Sequence, residues 1–463
     1  MKSIHSIGNA SVLYEEDSCP VLLTDPWYHT DRAYHGSWIT AHKIPSQLEQ
    51  SFFSCPLIWI SHYHPDHLNI RSLARCNSSQ KKPTILCPDH FNNRFSSDLQ
   101  RARYKVKTLK SFHRYAITES LSIVSIATSS LDAFLVLIVD NKYAYINSND
   151  ADFSEFLPFL CKLLAPYKFR FLSRLACWGD VDMINLFDHN GKFIEPLAAF
   201  KPSIGAILAA SANKIKASHV MAHSLFHSYA RTDSCWTNKY VPSLADLRTG
   251  HYGPSAYVEP LSSIYISDDH VTVERTYDPI LNDLPISPPE DFGDSWSDRP
   301  TPLDLIDIQE YFLSTYSISS YVDLIICRFS NKYIFVPIQK NSGRVYSRPK
   351  TILFHAPLNS FLRSIRQRTF DDMLISNYMR TYLINYPDLP SVQFLLGTLF
   401  DNASIISRNN FLQYTQYYAE MNPCPATFSY LFRCKVNARR LAYKYLLSYP
   451  KLMSHLKTYF QHL

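Results

Sequence analysis

The segment Leu57-Ile58-Trp59-Ile60-Ser61-His62-Tyr63-His64-Pro65-Asp66-His67-Leu68-Asn69 constrains this chain more than any other stretch. A short apolar run bounded by Pro56 reads as a buried strand, and it stops at four potential metal ligands, His62, His64, Asp66 and His67. Side chains just past a buried strand stand at a sheet edge on a rigid backbone, the placement a metal site requires. Neutral imidazoles and carboxylates bind zinc, iron or manganese, and several must converge for tight binding. The spacing lets His62 and His64 face one ion while Asp66 and His67 serve a second.

The rest of the chain supplies the setting. At 463 residues it is too long for one simple core, so two domains are expected. Hydrophobic content of 46% with 14% aromatics belongs to a folded globular protein. With only ten glycines, the turns lean on Asn, Asp, Ser and 28 prolines. Short apolar segments at 11–14, 20–24, 56–61, 83–87, 105–108, 121–127, 133–139 and 143–147 read as strands, with helices over 69–76, 153–165 and 203–217. Strands interleaved with helices predict α/β layers over residues 1–278. The stretch 279–302, with Pro279, Pro285, Pro288, Pro289, Pro300 and Pro302, reads as a linker. Residues 303–463 read as an α+β, mainly helical domain: a helix over 304–315, a hairpin on 322–326 and 333–338, then helical stripes such as Met373-Leu374, Tyr378-Met379 and Tyr382-Leu383. This part carries no ligand cluster and is expected to cap the site or to form a homodimer.

The net charge of +6 is scattered without a basic run, which fits a solvated surface and not a nucleic-acid partner. No apolar stretch reaches the length of a membrane span, and residues 1–7 lack the apolar core of a signal peptide. A cytoplasmic protein with no membrane partner is the expectation. Ten dispersed cysteines without a Cys-x-x-Cys pair suit a reducing compartment. Cys87-Pro88-Asp89-His90 offers half of a Rieske cluster with no Cys-x-His half, so Cys87 reads as core.

His62-Tyr63-His64-Pro65-Asp66-His67 after a buried strand resembles the signature of the metallo-β-lactamase superfamily. The resemblance implies an αββα sandwich with a two-metal site at the sheet edges. It implies a bridging acid after a later strand, matched by Asp150 after Tyr143-Ala144-Tyr145-Ile146-Asn147-Ser148-Asn149, and a late histidine, matched by His227 after the segment from Val220 to Phe226. The family's remaining histidine is replaced: before the strand 133–139 stands Ser129-Ser130-Leu131-Asp132, which makes Asp132 the candidate ligand, while His113 comes too early in the order. A carboxylate there makes the site harder and moves its preference from zinc toward iron or manganese.

In this the chain resembles diiron β-hydroxylases and the catalytic region of CMP-N-acetylneuraminate hydroxylases. Leu23-Thr24-Asp25-Pro26-Trp27, Gly36-Ser37-Trp38, Asn147-Ser148-Asn149-Asp150 and the run from Ser224 to Trp236 carry that likeness over about residues 1–275. It implies two iron ions, with zinc or manganese as alternatives: His62, His64 and Asp132 on one, Asp66, His67 and His227 on the other, Asp150 bridging. The implied reaction is an O2-dependent oxidation of a small-molecule or carrier-protein-bound substrate. Those hydroxylases add an N-terminal Rieske module that this sequence does not show, so an external electron donor is expected. The alternative is a dinuclear metallohydrolase acting on a phosphodiester, lactone or amide; a non-catalytic binding protein is a lesser one. Asp66, Asp132 and Asp150 are the candidate catalytic carboxylates. Asp25 is expected to orient a ligand histidine or to serve as a turn acid. Tyr28, with His29 and Asp31, lies on a loop expected to border the site. Tyr229, Arg231 and Asp233 follow His227, and Arg231 either binds an anionic substrate group or pairs with Asp233.

Overall fold

A computed structural model describes residues 1–78, 82–175, 183–200, 203–267, 270–275, 285–315, 322–338, 349–385 and 407–421. Two sheets are stacked at its centre. The first has eight strands in the order His270–Arg275, Ser262–Ser267, Lys2–Ser6, Val12–Glu16, Cys19–Thr24, Leu57–Trp59, Thr84–Pro88, Lys105–Leu109. The second has seven, in the order Ala256–Val258, His219–Ala222, Phe169–Arg174, Tyr143–Asn149, Ala133–Val139, Leu121–Ala127, Arg114–Ala116.

Strand periodicity builds the layers. Val12 and Tyr14 point into the core between the sheets, while Leu13 points outward. In the strand Ala133–Val139, Leu135 and Leu137 join that inner core, and Phe134, Val136 and Ile138 face the other way. A strand apolar on both faces is one buried on both faces. The outward side chains of the first sheet are covered by helices Ser46–Ser54, Ile70–Asn77 and Arg94–Arg101 through Leu48, Phe52, Leu73, Cys76, Phe95 and Leu99. Those of the second are covered by Leu157–Leu164 and Ile204–Lys214 through Leu160, Leu164, Ile207 and Leu208. The result is an αββα sandwich. Cys87 lies in the helix-covered core, and Cys55, Cys76 and Cys327 are likewise buried free thiols.

A third sheet has six strands in the order Phe193–Ile194, Leu186–Phe187, Arg380–Ile384, Thr351–His355, Leu324–Phe329, Lys332–Pro337. Helices Pro302–Ser314 and Leu358–Gln367 pack on it around Phe312, Phe354, Phe361 and Phe370. The expected helix and hairpin are here, joined by two strands contributed from residues 186–194. The proline-rich segment is described from residue 285, and there it is packed down. Phe292 sits under Gly36, whose φ of +86° and lack of a Cβ allow the approach; a Cβ would stand 2.3 Å from the ring. Asp294 is buried beside Arg231, at 2.8 Å. Among the described residues no helix is long and apolar enough to cross a membrane. Cys177-Trp178 and the sequence after 421 lie outside the described residues.

Candidate metal centre

The site lies where parallel strands of both sheets end. Cys19–Thr24, Leu57–Trp59 and Thr84–Pro88 run parallel in the first sheet, and they lead to Asp25, to Ser61 and His62, and to His90. In the second, Tyr143–Asn149, Phe169–Arg174 and His219–Ala222 run parallel, and the first and third lead to Asp150 and His223. Carboxyl ends of parallel strands gather ligands because their loops converge in one crevice. A register shift between Asn147 and Asn149 re-aims the strand end toward that crevice. Asp25, Asn149 and Ser224 take left-handed φ values of 40°, 52° and 57°, a strained region for non-glycine residues. A network holds them: Asn149 Nδ2 donates to Asp25 Oδ2 at 2.6 Å, and Ser224 Oγ donates to Asn149 Oδ1 at 3.1 Å.

In the crevice, His62 Nε2 and His64 Nδ1 face each other at 2.9 Å, and Asp132 Oδ1 stands 3.8 Å from His62 Nε2. His67 Nε2 lies 3.2 Å from Asp66 Oδ2 and 3.4 Å from Asp150 Oδ2. One ligand atom from each of His62, His67 and Asp150 falls within 4.8 Å of the others. His67 Nε2 and Asp150 Oδ1 are buried without a hydrogen bond. Such atoms are costly to leave unsatisfied, and imidazole nitrogens with carboxylate oxygens are the donors that divalent transition metals take. The residues present therefore fit a divalent metal.

The outer atoms of these side chains are tied down, which orients them. His67 Nδ1 lies 3.2 Å from Asp25 Oδ2, and Asp25 Oδ1 accepts from the Ser61 amide at 2.7 Å. His62 Nδ1 is 2.9 Å from Ser61 Oγ. Asp66 accepts from the Tyr34 hydroxyl at 2.7 Å and from Asn9 Nδ2 at 3.0 Å. His64 Nε2 meets Asp371 Oδ2 at 2.9 Å.

Electrostatics sort the histidines. Burial drives His62 well below the ordinary imidazole value, and the neighbouring His67 and His64 add to the effect. Burial also opposes charge on His64 and His67, but carboxylates overcome it: Asp371, Asp372 and Asp66 pull His64 up to about 9, and Asp66, Asp150 and Asp25 raise His67. Burial resists ionisation of Asp66, yet His67, His64 and the Tyr34 hydroxyl hold it well below the usual carboxylate range. Asp132 is pushed up to about 6 by burial and by the charge of Asp150.

The structure thus brings together His62, His64, Asp66, His67, Asp132 and Asp150, with Asp25 behind His67. His227 stacks face to face on Trp38 at 3.7 Å, and Trp38 in turn contacts Tyr34. His113 is exposed on another turn. Tyr28 turns away to Glu49, at 2.9 Å, and Asp31 to Ser72 and Arg75, so this loop faces two helices at those positions. Tyr229 contacts Trp38 and accepts from Asn377 Nδ2 at 3.1 Å. Arg231 is fully buried and its guanidinium is paired with Asp233 and Asp294.

Four residues escape sequence reasoning: Asn9, Tyr34, His223 and Asp371. His223 is fully buried, and neither ring nitrogen has a hydrogen bond of good geometry. Burial lowers its pKa to about 4, while Ala10 and then Asp25 pull the other way. Its signal was its place as the first residue past a parallel strand, the place Asp25 and Asp150 also hold.

No family model matches the sequence, and no curated protein matches it. Solved structures similar to it include a metallo hydrolase from the archaeon Ignicoccus hospitalis, 14% identical with a TM-score of 0.34, covering 57% of this chain and 97% of that one. An isothiocyanate hydrolase from Delia radicum gut bacteria is 13% identical with a TM-score of 0.36, covering 57% and 99%. A metallo-β-lactamase fold protein from Bacillus subtilis is 13% identical with a TM-score of 0.29, covering 48% and 85%.

Proposed function

We propose that the chain is a dinuclear metal-dependent hydrolase acting on a phosphodiester, lactone or amide in a small molecule or a group carried on a partner protein. The observation that carries this reading is the convergence of His62, His67 and Asp150 within 4.8 Å, with His67 Nε2 and Asp150 Oδ1 buried and unbonded. In this reading His62, His64 and Asp132 hold one ion. Asp66 and His67 hold the other with a late histidine, His223 or His227, and Asp150 lies between. Bound divalent ions supply a water of lowered pKa and a positive charge facing the electrophile.

The chain's own groups make that possible. Asp25 and Ser61 fix the rings of His67 and His62 by their Nδ1 atoms, leaving both Nε2 atoms for the crevice. Tyr34 and Asn9 occupy one lone pair on each oxygen of Asp66, which favours its anionic form and fixes its plane. Hydrolysis balances with water and substrate alone, whereas oxidation by O2 needs electrons from an outside donor.

One observation favours a second reading, the diiron oxygenase. Asp132 Oδ1 lies 3.8 Å from His62 Nε2, which adds a carboxylate to the donor set and favours harder metals. The deciding experiment reconstitutes metal-free protein with zinc, manganese or iron(II). It then assays an aryl phosphodiester, a lactone and an anilide, and O2 uptake with a chemical reductant. The expected result is two metal equivalents and metal-dependent hydrolysis of one class. Iron-dependent O2 uptake coupled to substrate oxidation, without hydrolysis, would replace this reading by the second, and absence of metal binding would sink both.

A further inference from the structure

We infer that Asp371 is a positioning residue of the metal centre, so that the centre is completed by the third sheet's part of the chain and not by the αββα sandwich alone. The inference rests on the metal-centre reading above. Its starting point is that His64 has both ring nitrogens committed. Nδ1 faces His62 Nε2 at 2.9 Å inside the crevice, and Nε2 faces Asp371 Oδ2 at 2.9 Å on the other side. A carboxylate at Nε2 holds the proton on that nitrogen. The nitrogen left to lose its proton to a metal shared with His62 is then Nδ1, the one that faces the crevice. His62 and His67 receive the same service from Ser61 and Asp25, both within the sandwich. Only His64 among these three is served by a residue from beyond position 300.

Asp371 is placed to do this reproducibly. It is buried, at 3% exposure, on the helix Asp371–Ile375, which packs against the Tyr34–Gly36 turn. The chain just beyond is fastened to the sandwich at four points. Ser37 Oγ donates to the Ser376 carbonyl at 2.7 Å and Trp236 Nε1 to the Asn377 carbonyl at 3.1 Å. Asn377 Nδ2 donates to the Tyr229 hydroxyl at 3.1 Å, and the Arg231 guanidinium lies 3.9 Å from the centre of the Tyr378 ring. A carboxylate needed only for surface charge would require none of this anchoring.

The test compares wild type, Asp371→Asn and Asp371→Glu by chelator-competition titration with zinc, and by the visible absorption of cobalt(II)-loaded protein. For Asp371→Asn, the expected result is one of two zinc equivalents weakened by roughly 10- to 100-fold, with the other unchanged and an altered cobalt spectrum. Asp371→Glu is expected to recover part of the affinity. Equal zinc affinities and identical cobalt spectra in wild type and Asp371→Asn overturn the inference while leaving the metal centre standing. A wild type that binds no metal refutes the reading beneath it instead. Should Asp371→Asn fail to fold, backbone hydrogen exchange on wild type decides. Slower exchange over residues 371–376 on adding zinc supports the inference, and unchanged exchange there overturns it.

Discussion

Two buried charge clusters stand close together in this molecule and are built on opposite terms. Around Arg231 the pairing is complete. The guanidinium donates to both oxygens of Asp233 at 3.1 and 3.0 Å, to Asp294 at 2.8 Å and to the His35 carbonyl at 2.9 Å. Asp294 also accepts from the Ser360 amide at 2.9 Å, and Asp233 from Trp296 Nε1 at 3.0 Å. Around His67 the pairing is less complete: its Nε2 lies 3.2 and 3.4 Å from the Asp66 and Asp150 carboxylates, yet neither that nitrogen nor Asp150 Oδ1 has a hydrogen bond of good geometry. Burial makes unpaired charge expensive in both places. A cluster that satisfies itself is holding parts of the chain together. One that leaves converging donors unsatisfied is set up for a ligand.

The comparison breaks first if Arg231 proves dispensable. Arg231→Met leaves Asp233 and Asp294 without their cation, and the expected loss is about 3–5 kcal/mol of unfolding free energy, measured by denaturant titration. Metal affinity per folded molecule should hold, since Arg231 donates to Asp233, Asp294 and the His35 carbonyl and not to His62, His64 or His67, and the contacts of Ser37, Trp236 and Tyr229 still anchor the segment after Asp371. A stable variant with lost metal binding would make Arg231 part of the site.

Next in size is the effect of metal itself. Metal at one hundred times its Kd should stabilise the chelator-treated protein by about 2.7 kcal/mol, read as a rise in melting temperature. An unchanged melting temperature with zinc, manganese and iron(II) alike would mean that the unfinished pairing at His67 is no metal site.

How much of this contrast the sequence discloses depends on how locally each part is encoded. The sandwich is legible because strand periodicity is local: Leu135 and Leu137 against Phe134, Val136 and Ile138 already declare two buried faces. The set from His62 to His67 is legible because it is contiguous, and Asp150 because it ends a strand. Tyr34 is not, because the left-handed φ values of 47° and 54° at Tyr34 and His35 decide which loop aromatic reaches Asp66, and neither residue type announces them. Tyr28, the more obvious candidate, goes to Glu49 instead. The choice between His223 and His227 turns on where a strand stops within a few residues, the least predictable property of a strand. Asp371 and Asp294 are illegible for a plainer reason, since their partners His64 and Arg231 are joined to them only by the tertiary fold.

A buried histidine outside both clusters sharpens the contrast. Neither nitrogen of His42 has a hydrogen bond of good geometry, yet among the described residues no carboxylate acts on it, and burial lowers its pKa to about 4. Its folded pKa lies below its unfolded value near 6.5, so the unfolded chain binds the extra proton first. Stability is then full above about pH 6.5 and falls as the pH drops toward 4. Going from about pH 6.5 to about 5.5 should cost on the order of 1 kcal/mol through His42. Denaturant titrations at the two pH values should show a loss smaller by about that increment in His42→Leu than in wild type, since His223 and the other buried histidines titrate alike in both, with zinc stabilisation equal in both. Loss of zinc stabilisation in His42→Leu would show that an unbonded imidazole alone suffices for a site.

The smallest effect is the most discriminating. Asp150 attracts His67 at 3.4 Å and repels Asp132, and its side chain is 26% exposed. Removing its charge in the metal-free protein gives up one interaction and relieves the other, both weakened by solvent screening. Asp150→Asn should therefore leave metal-free stability within about 0.5 kcal/mol of wild type, while zinc-dependent stabilisation disappears. The contrast with Arg231 then becomes a double dissociation: one substitution removes stability and spares metal, the other removes metal and spares stability. If Asp150→Asn instead costs several kcal/mol without metal, the crevice carboxylates are structural ion-pair partners, and the two clusters differ in completeness but not in purpose.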